Sequence, residues 1–163
     1  MNSPTALNKR GIKIERYGAK FDSQKELDFY ERFIKGQVDP QHVSIHPRFV
    51  LAKKKTVQQG AIISGIRYTP DFVIYDDFIH ILHVYDVKNS FGVYGIDQGS
   101  KLTFRLFAMH TGVPVEAVVV RKHDFKAACI GVTKQLNLTG KAKTPKPIVR
   151  QDVFYNWKEA TNY

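Results

Sequence analysis

The chain has 163 residues, of which 43% are hydrophobic, and a formal charge of +10 that sets the pI near 9.7. That length suffices for one buried core, and no apolar run approaches the roughly 20 residues a membrane span needs, so a membrane-spanning protein is excluded. A lone cysteine, Cys129, excludes an intramolecular disulfide and a cysteine-rich zinc site. The start at Met1 carries no secretory signal, which predicts a cytoplasmic protein, and the cationic surplus points to a polyanionic partner.

In chain order, residues 1–17 form a basic arm with Lys9, Arg10, Lys13 and Arg16. A folded domain is expected over 18–138, and a basic, proline-containing tail over 139–163. Ser23-Gln24-Lys25-Glu26 is a capping-box sequence that opens a helix closed by Gly36. Leu27, Tyr30 and Ile34, with Phe29 and Phe33 beside them, form its core stripe. Residues 42–51 read as a strand interrupted by Pro47, hence an edge or a bulge. Lys53 to Gly60, with Lys53, Lys54 and Lys55, reads as a basic loop.

Two strands follow, and they carry the chemistry. Tyr68-Thr69-Pro70-Asp71-Phe72-Val73-Ile74-Tyr75 and Ile81-Leu82-His83-Val84-Tyr85-Asp86-Val87-Lys88 flank a turn at Asp76-Asp77. Side chains alternate along a strand, so Asp86 and Lys88 emerge on one face. With a loop of about four residues, Tyr75 pairs with His80, and Asp71 falls opposite Val84, diagonal to Asp86. Two carboxylates this close repel unless a cation stands between them. Mg²⁺, with Mn²⁺ as a possible substitute, accepts such oxygen ligands alongside water and a substrate phosphate. Lys88 either orients or deprotonates an attacking water, or stabilises charge on phosphorus; the sequence leaves both roles open.

Asn89 to Gly95 reads as an irregular connection beside the substrate. Ser100–His110 reads as a helix with Leu102, Leu106 and Met109 on its apolar face and Gly112 at its end. Lys101 and Arg105 share its polar side as candidate DNA contacts, together with Lys53, Lys54 and Lys55. Val113 to Val120 is the continuous apolar run of a strand covered on both faces. His123-Asp124-Phe125 is expected to start a helix reaching Leu136, and Asp152 to Ala160 a short terminal helix with Trp157 able to pack. His80 and His83 fall on opposite strand faces and cannot chelate a metal together. No nucleophile elbow or phosphate-binding loop is present, which argues against acyl transfer and nucleotide hydrolysis.

Pro70-Asp71 followed by Asp86-Val87-Lys88, with Phe21-Asp22-Ser23-Gln24-Lys25-Glu26 upstream, resembles the PD-(D/E)XK nuclease superfamily. The likeness is nearest to its small phage-type branch, formerly catalogued as a domain of unknown function. The resemblance covers about residues 18–122 and implies an α/β fold with a restriction-endonuclease-like αβββαβ core, a mixed central sheet flanked by helices. It implies Mg²⁺-dependent DNA endonuclease activity with Asp71, Asp86 and Lys88 in the site. Glu26 is then either a fourth site residue and metal ligand or only the helix cap. By the same analogy the substrate is a branched recombination intermediate such as a Holliday junction, and the protein a possible homodimer. The alternatives are a non-catalytic nucleic-acid-binding protein of this fold, or a nuclease subunit of a transposition, restriction or packaging complex.

Overall fold

Between residues 72 and 87 the apolar side chains fall on both faces of two paired strands, so each face must be covered, and the chain supplies a helix for each. The computed structural model describes residues 13–132 and 147–160. A short hairpin, β1 (Ile14–Arg16) and β2 (Ala19–Phe21), leads into α1 (Gln24–Phe29), which continues as a π-type turn over Tyr30–Ile34. Then come β3 (Val43–Ile45), β4 (Phe49–Ala52), β5 (Lys55–Thr56), β6 (Ile62–Ile63), β7 (Ile66–Tyr68), β8 (Phe72–Tyr75) and β9 (Ile81–Val87). The chain goes on through α2 (Gln98–Thr111), β10 (Glu116–Val120), β11 (Phe125–Cys129), β12 (Ile148–Arg150) and α3 (Trp157–Ala160).

The central sheet runs in the order β12-β11-β10-β9-β8-β3. It is mixed: β9 and β10 are parallel and every other pair is antiparallel. A parallel pair needs a long crossover, and α2 provides it. Phe72, Ile74, Tyr85, Val118 and Phe125 pack with Phe29, Phe33 and Ile34 of the first helical segment. Val73, Val84 and Ala117, at the alternating positions, pack with Phe104 and Phe107 of α2. The period of two thus sends one set of side chains to each helix.

Several expectations change. The hairpin register differs because of a bulge at Leu82: Ile74 pairs with His83 and Tyr75 with Ile81, not His80. Phe72 therefore lies opposite Tyr85 and Val73 opposite Val84, which brings Asp71 level with Asp86 rather than diagonal to it. Pro47 does more than interrupt one strand. His46 takes a positive φ of 50° before it, and β3 and β4 join different sheets. The expected loop at Lys53–Gly60 is half of a β-ribbon, with β4 paired to β7 and β5 to β6.

Helix α2 starts at Gln98, capped by the Asp97 carboxylate, which accepts from the Ser100 N–H at 2.6 Å, and ends at Gly112 with φ 77°. Its buried face is Phe104 and Phe107, whereas Leu102 and Met109, expected inside, are exposed. Phe107 meets Phe49 edge-on at 4.9 Å and Tyr68 at 5.3 Å; aromatic area outweighs the thinner aliphatic stripe. Residues 125–129 are a strand, not the start of a helix. Arg121 grips Asp124 with two hydrogen bonds of 2.5 and 2.6 Å, closing a turn that lets β11 return along the free edge of β10. Phe125 then packs edge-on against Phe29.

Part of the expected tail belongs to the domain, since β12 is the outermost strand and Val153 is buried in the core. The terminal helix is confined to Trp157–Ala160. Lys9, Arg10, Lys141, Lys143, Lys146 and Leu136 lie outside the described residues. Among the described residues no helix is long and apolar enough to cross a membrane.

Phe29 is fully buried and touches the rings of Phe33, Phe72, Tyr85 and Phe125, so it joins the first helical segment to the sheet. Phe29→Ala is expected to lower the unfolding free energy by about 3–5 kcal/mol, measured by urea denaturation. A loss below about 1 kcal/mol would show that this aromatic cluster does not anchor the helix.

Candidate active site

The antiparallel pairing of β8 and β9 puts the start of one beside the end of the other, and there the acidic residues meet. Asp71 precedes β8; its backbone N–H donates to the Tyr85 carbonyl at 3.1 Å, and its Oδ2 accepts from the Val87 N–H at 2.6 Å. Asp86, near the end of β9, accepts from the Tyr68 hydroxyl at 2.7 Å and pairs with Lys88 Nζ at 2.6 Å. Both its oxygens therefore turn toward the α2 side of the sheet, where Lys88 also lies 5.7 Å from the Phe104 ring.

Glu26 approaches from α1. Its backbone N–H is capped by Ser23 Oγ at 3.2 Å, and its Oε2 accepts from the Asp22 N–H at 2.9 Å. The reach-back thus ends one residue earlier than in a standard capping box, and Glu26 is a helix cap in this structure. The carboxylate that secures the helix start also faces the site, with His46 Nε2 at 3.2 Å.

Tyr68 is one of two site residues that sequence reasoning missed, and His46 is the other. Its N–H donates to the Asp71 carbonyl at 3.0 Å, and its Nε2 stands 3.7 Å from Asp71 Oδ1. The imidazole therefore stands between the carboxylates of Glu26 and Asp71, whereas the sequence reading placed a cation between Asp71 and Asp86. The Asp71 carboxylate first, then that of Glu26, hold its pKa up at about 10 against the opposing effect of burial. Burial chiefly, with the nearby charges of Asp86 and Glu26, raises Asp71 to about 6 although His46 and the Val87 N–H oppose the rise. Burial would push Lys88 down, but the Asp86 charge and hydrogen bond outweigh it and hold Lys88 above the ordinary lysine value. Near neutral pH Lys88 is an ammonium ion, suited to stabilising anionic charge rather than accepting a proton.

Glu26, His46 and Asp71 each offer a ligand atom within 4.8 Å of the others, little more than the diameter of about 4 Å that a small divalent ion's ligand shell spans. The two carboxylates suit Mg²⁺ or Mn²⁺ with water completing the shell, whereas an imidazole ligand is the kind a softer ion such as Zn²⁺ or Fe²⁺ takes. Asp86 belongs to the other half of the site, joined to this group through Asp71. A cleft of about 270 Å³ lined by Ser23, Lys25, Glu26, Lys88 and Asn89 opens beside them. Lys25 Nζ donates to Asn89 Oδ1 at 2.8 Å, which draws the irregular Asn89–Gly95 connection against the cleft.

The other proposed contacts divide. Lys101 is half-buried one turn before Phe104, at the end of α2 nearest Lys88. Arg105 lies along Gly131 and lines a separate hollow with Met109 and Trp157. Lys53, Lys54 and Lys55 stand on the ribbon whose last strand ends at Tyr68. His83 is structural: it pairs with buried Glu116 at 2.6 Å, and Glu116 also accepts from the Tyr155 hydroxyl, at the opposite end of β9. The signals available for the missed residues were weak. His46 directly precedes the strand-breaking Pro47, and Tyr68 lies three residues before Asp71.

The fold and cluster define a mixed α/β protein with a charged, partly buried cleft at one end of its sheet. The chain belongs to the family described as a protein of unknown function, DUF1064, whose profile matches residues 8–107 and so includes every residue of the cluster. No curated protein and no solved structure matches the chain.

His46 binds its extra proton on folding, so its stabilisation is present in full below the unfolded pKa near 6.5 and is lost as pH rises through about 10. In metal-free protein, the excess thermal midpoint of wild type over His46→Ala is expected to shrink steadily from pH 6.5 to 10, followed by circular dichroism. A pH-independent difference would rule out a charged histidine in this gap.

Proposed function

We propose that this protein is a divalent-metal-dependent DNA endonuclease of the PD-(D/E)XK type, with Mg²⁺ as the physiological ion and Mn²⁺ as a substitute. The observation that carries the reading is the meeting of Glu26, Asp71 and Asp86 with Lys88 and His46 at one sheet end. A folded protein does not gather three carboxylates in a half-buried cleft without a positive partner for them. The element order α1, β3, β8, β9, α2, β10 is compatible with a restriction-endonuclease-like core, and the +10 charge favours a phosphate polymer as substrate.

Asp71 and Glu26 would hold the ion, with His46 Nε2 able to join them once deprotonated and Asp86 supporting from the neighbouring strand. A bound divalent ion lowers the pKa of its water and offsets charge developing on phosphorus. The chain's own residues supply the rest. Tyr68 fixes one oxygen of Asp86, Lys88 places a cation beside the scissile phosphate, and Lys25 and Lys101 extend positive charge along the backbone path. Branched DNA is the preferred substrate class by analogy of fold.

The test is incubation with linear, single-stranded and four-way branched DNA in Mg²⁺, Mn²⁺ or EDTA. Cutting is expected only with a metal. Asp86→Asn and Lys88→Ala should each slow it by about 10²–10³-fold, while DNA binding in a gel-shift assay persists. Undiminished cutting by Asp86→Asn would remove the reading, and tight binding without cutting under any condition would favour a non-catalytic DNA-binding protein.

At neutral pH the metal-free His46 carries a proton that a ligating nitrogen must release. Mn²⁺ titration calorimetry at pH 7.5 in buffers of different ionisation enthalpy should therefore report the loss of about one proton per ion, and His46→Ala should abolish that release. Zero release by wild type would show that His46 stays protonated outside the metal shell.

A further inference from the structure

The ribbon between Phe49 and Tyr68 is out of keeping with the rest of the surface. Its outer half is two strands of two residues each, β5 and β6, and an isolated pair of this kind is marginal in water without something to pack against. It nevertheless exposes Ile62 and Ile63 at 66% and 58%, with Val50, Val57 and Ile66 also exposed. From Lys53 to Arg67 the sequence has four cations and no acidic residue, and none of the four enters an ion pair with another described residue. A surface both apolar and purely cationic suits neither water nor an ordinary protein neighbour.

We propose that this ribbon is a duplex-gripping arm that lies in a DNA groove, with Lys53, Lys54, Lys55 and Arg67 near phosphates and the face that carries Ile63 turned to base edges, while Ile62 covers the opposite face. The inference rests on DNA being the partner of the site, and it adds where and how the duplex is held. A two-stranded antiparallel ribbon fits the major groove, where thymine methyl groups accept apolar contacts. Cross-strand partners share a face, and Lys55 is paired with Ile63, so one face offers a phosphate contact beside a base contact. Lys53, Lys54 and Arg67 border a trough of about 640 Å³ between the strands.

Charge complementarity selects nucleic acid over a second copy of this chain, which would present the same cations to themselves. The connection to the site is direct. The last residue of β7 is Tyr68, whose hydroxyl holds Asp86 at 2.7 Å. The base of the ribbon is set by Phe49 and Tyr68 on Phe107. Between the rigid base and the outer half, Gly65 passes so close to the Ala52 carbonyl that a Cβ there would sit 2.6 Å from its oxygen. The ribbon therefore has a packed root, with a register shift between Val50 and Ala52 and a close backbone approach at Gly65 just beyond it.

The test is fluorescence anisotropy on a labelled duplex and a four-way junction, in EDTA, over a salt series with the full chain. Lys53→Ala/Lys54→Ala/Lys55→Ala is expected to weaken binding at least tenfold. It should flatten the slope of log K against log salt by about 2.7, the value for three lost phosphate contacts. Ile62→Ser/Ile63→Ser, which keeps every charge, should weaken binding severalfold with the slope unchanged. Amide hydrogen exchange over 53–66 should slow when DNA is added, and circular dichroism checks that each variant is folded. Wild-type affinity and slope in both folded variants would overturn the arm while leaving metal-dependent cutting intact. Absence of any DNA binding by wild type would overturn the arm together with the nuclease reading. Ile62→Ser/Ile63→Ser dissociating a wild-type dimer in sedimentation, with DNA affinity kept, would make the ribbon a contact between copies and overturn it as a DNA arm.

Discussion

The structure of the site depends on charge neutralisation at one end of a sheet. Asp71 and Asp86 are brought level by the β8–β9 pairing, Glu26 reaches them from the first helix, and burial makes each negative charge costly. Two cations make the arrangement tolerable in the absence of a metal. Lys88 is paired with Asp86, and His46 bridges Glu26 and Asp71.

Two consequences follow for the architecture. The helix start at Ser23 cannot be separated from the site, because the Glu26 carboxylate closes the helix N-terminus through the Asp22 N–H and faces His46 with the same oxygen. The strand break at His46-Pro47 is also part of the site, since the positive φ of His46 turns its ring back toward the carboxylates while its N–H remains tied to Asp71. Irregular backbone at a position of this kind is common where a side chain must be aimed rather than packed.

The site has two sides. Asp86, Lys88 and Tyr68 lie with α2, whereas Glu26 and His46 arrive with α1 and β3, and Asp71 joins them across the sheet edge. The β-ribbon grows from the Tyr68 side and the cleft with Lys25 opens on the Glu26 side.

Much of this was legible in the residues. The alternation in 72–75 and 81–87, the apolar run at 113–120, the helix start at Ser23 and the shared face of Asp86 and Lys88 follow from local periodicity and capping, all properties of short segments, whereas the level register of Asp71 and Asp86 came from the bulge at Leu82. What required the tertiary structure was anything set by a distant partner. Residues 125–129 became a strand because β10 had a free edge. α2 buried Phe104 and Phe107 rather than Leu102 and Met109 because Phe49 and Tyr68 were waiting. His46 entered the site from a separate strand because the backbone turned back before Pro47. A sequence encodes which side chains need cover or counter-charge, but only the folded chain decides which remote group provides it, because that depends on contacts between residues far apart along the backbone.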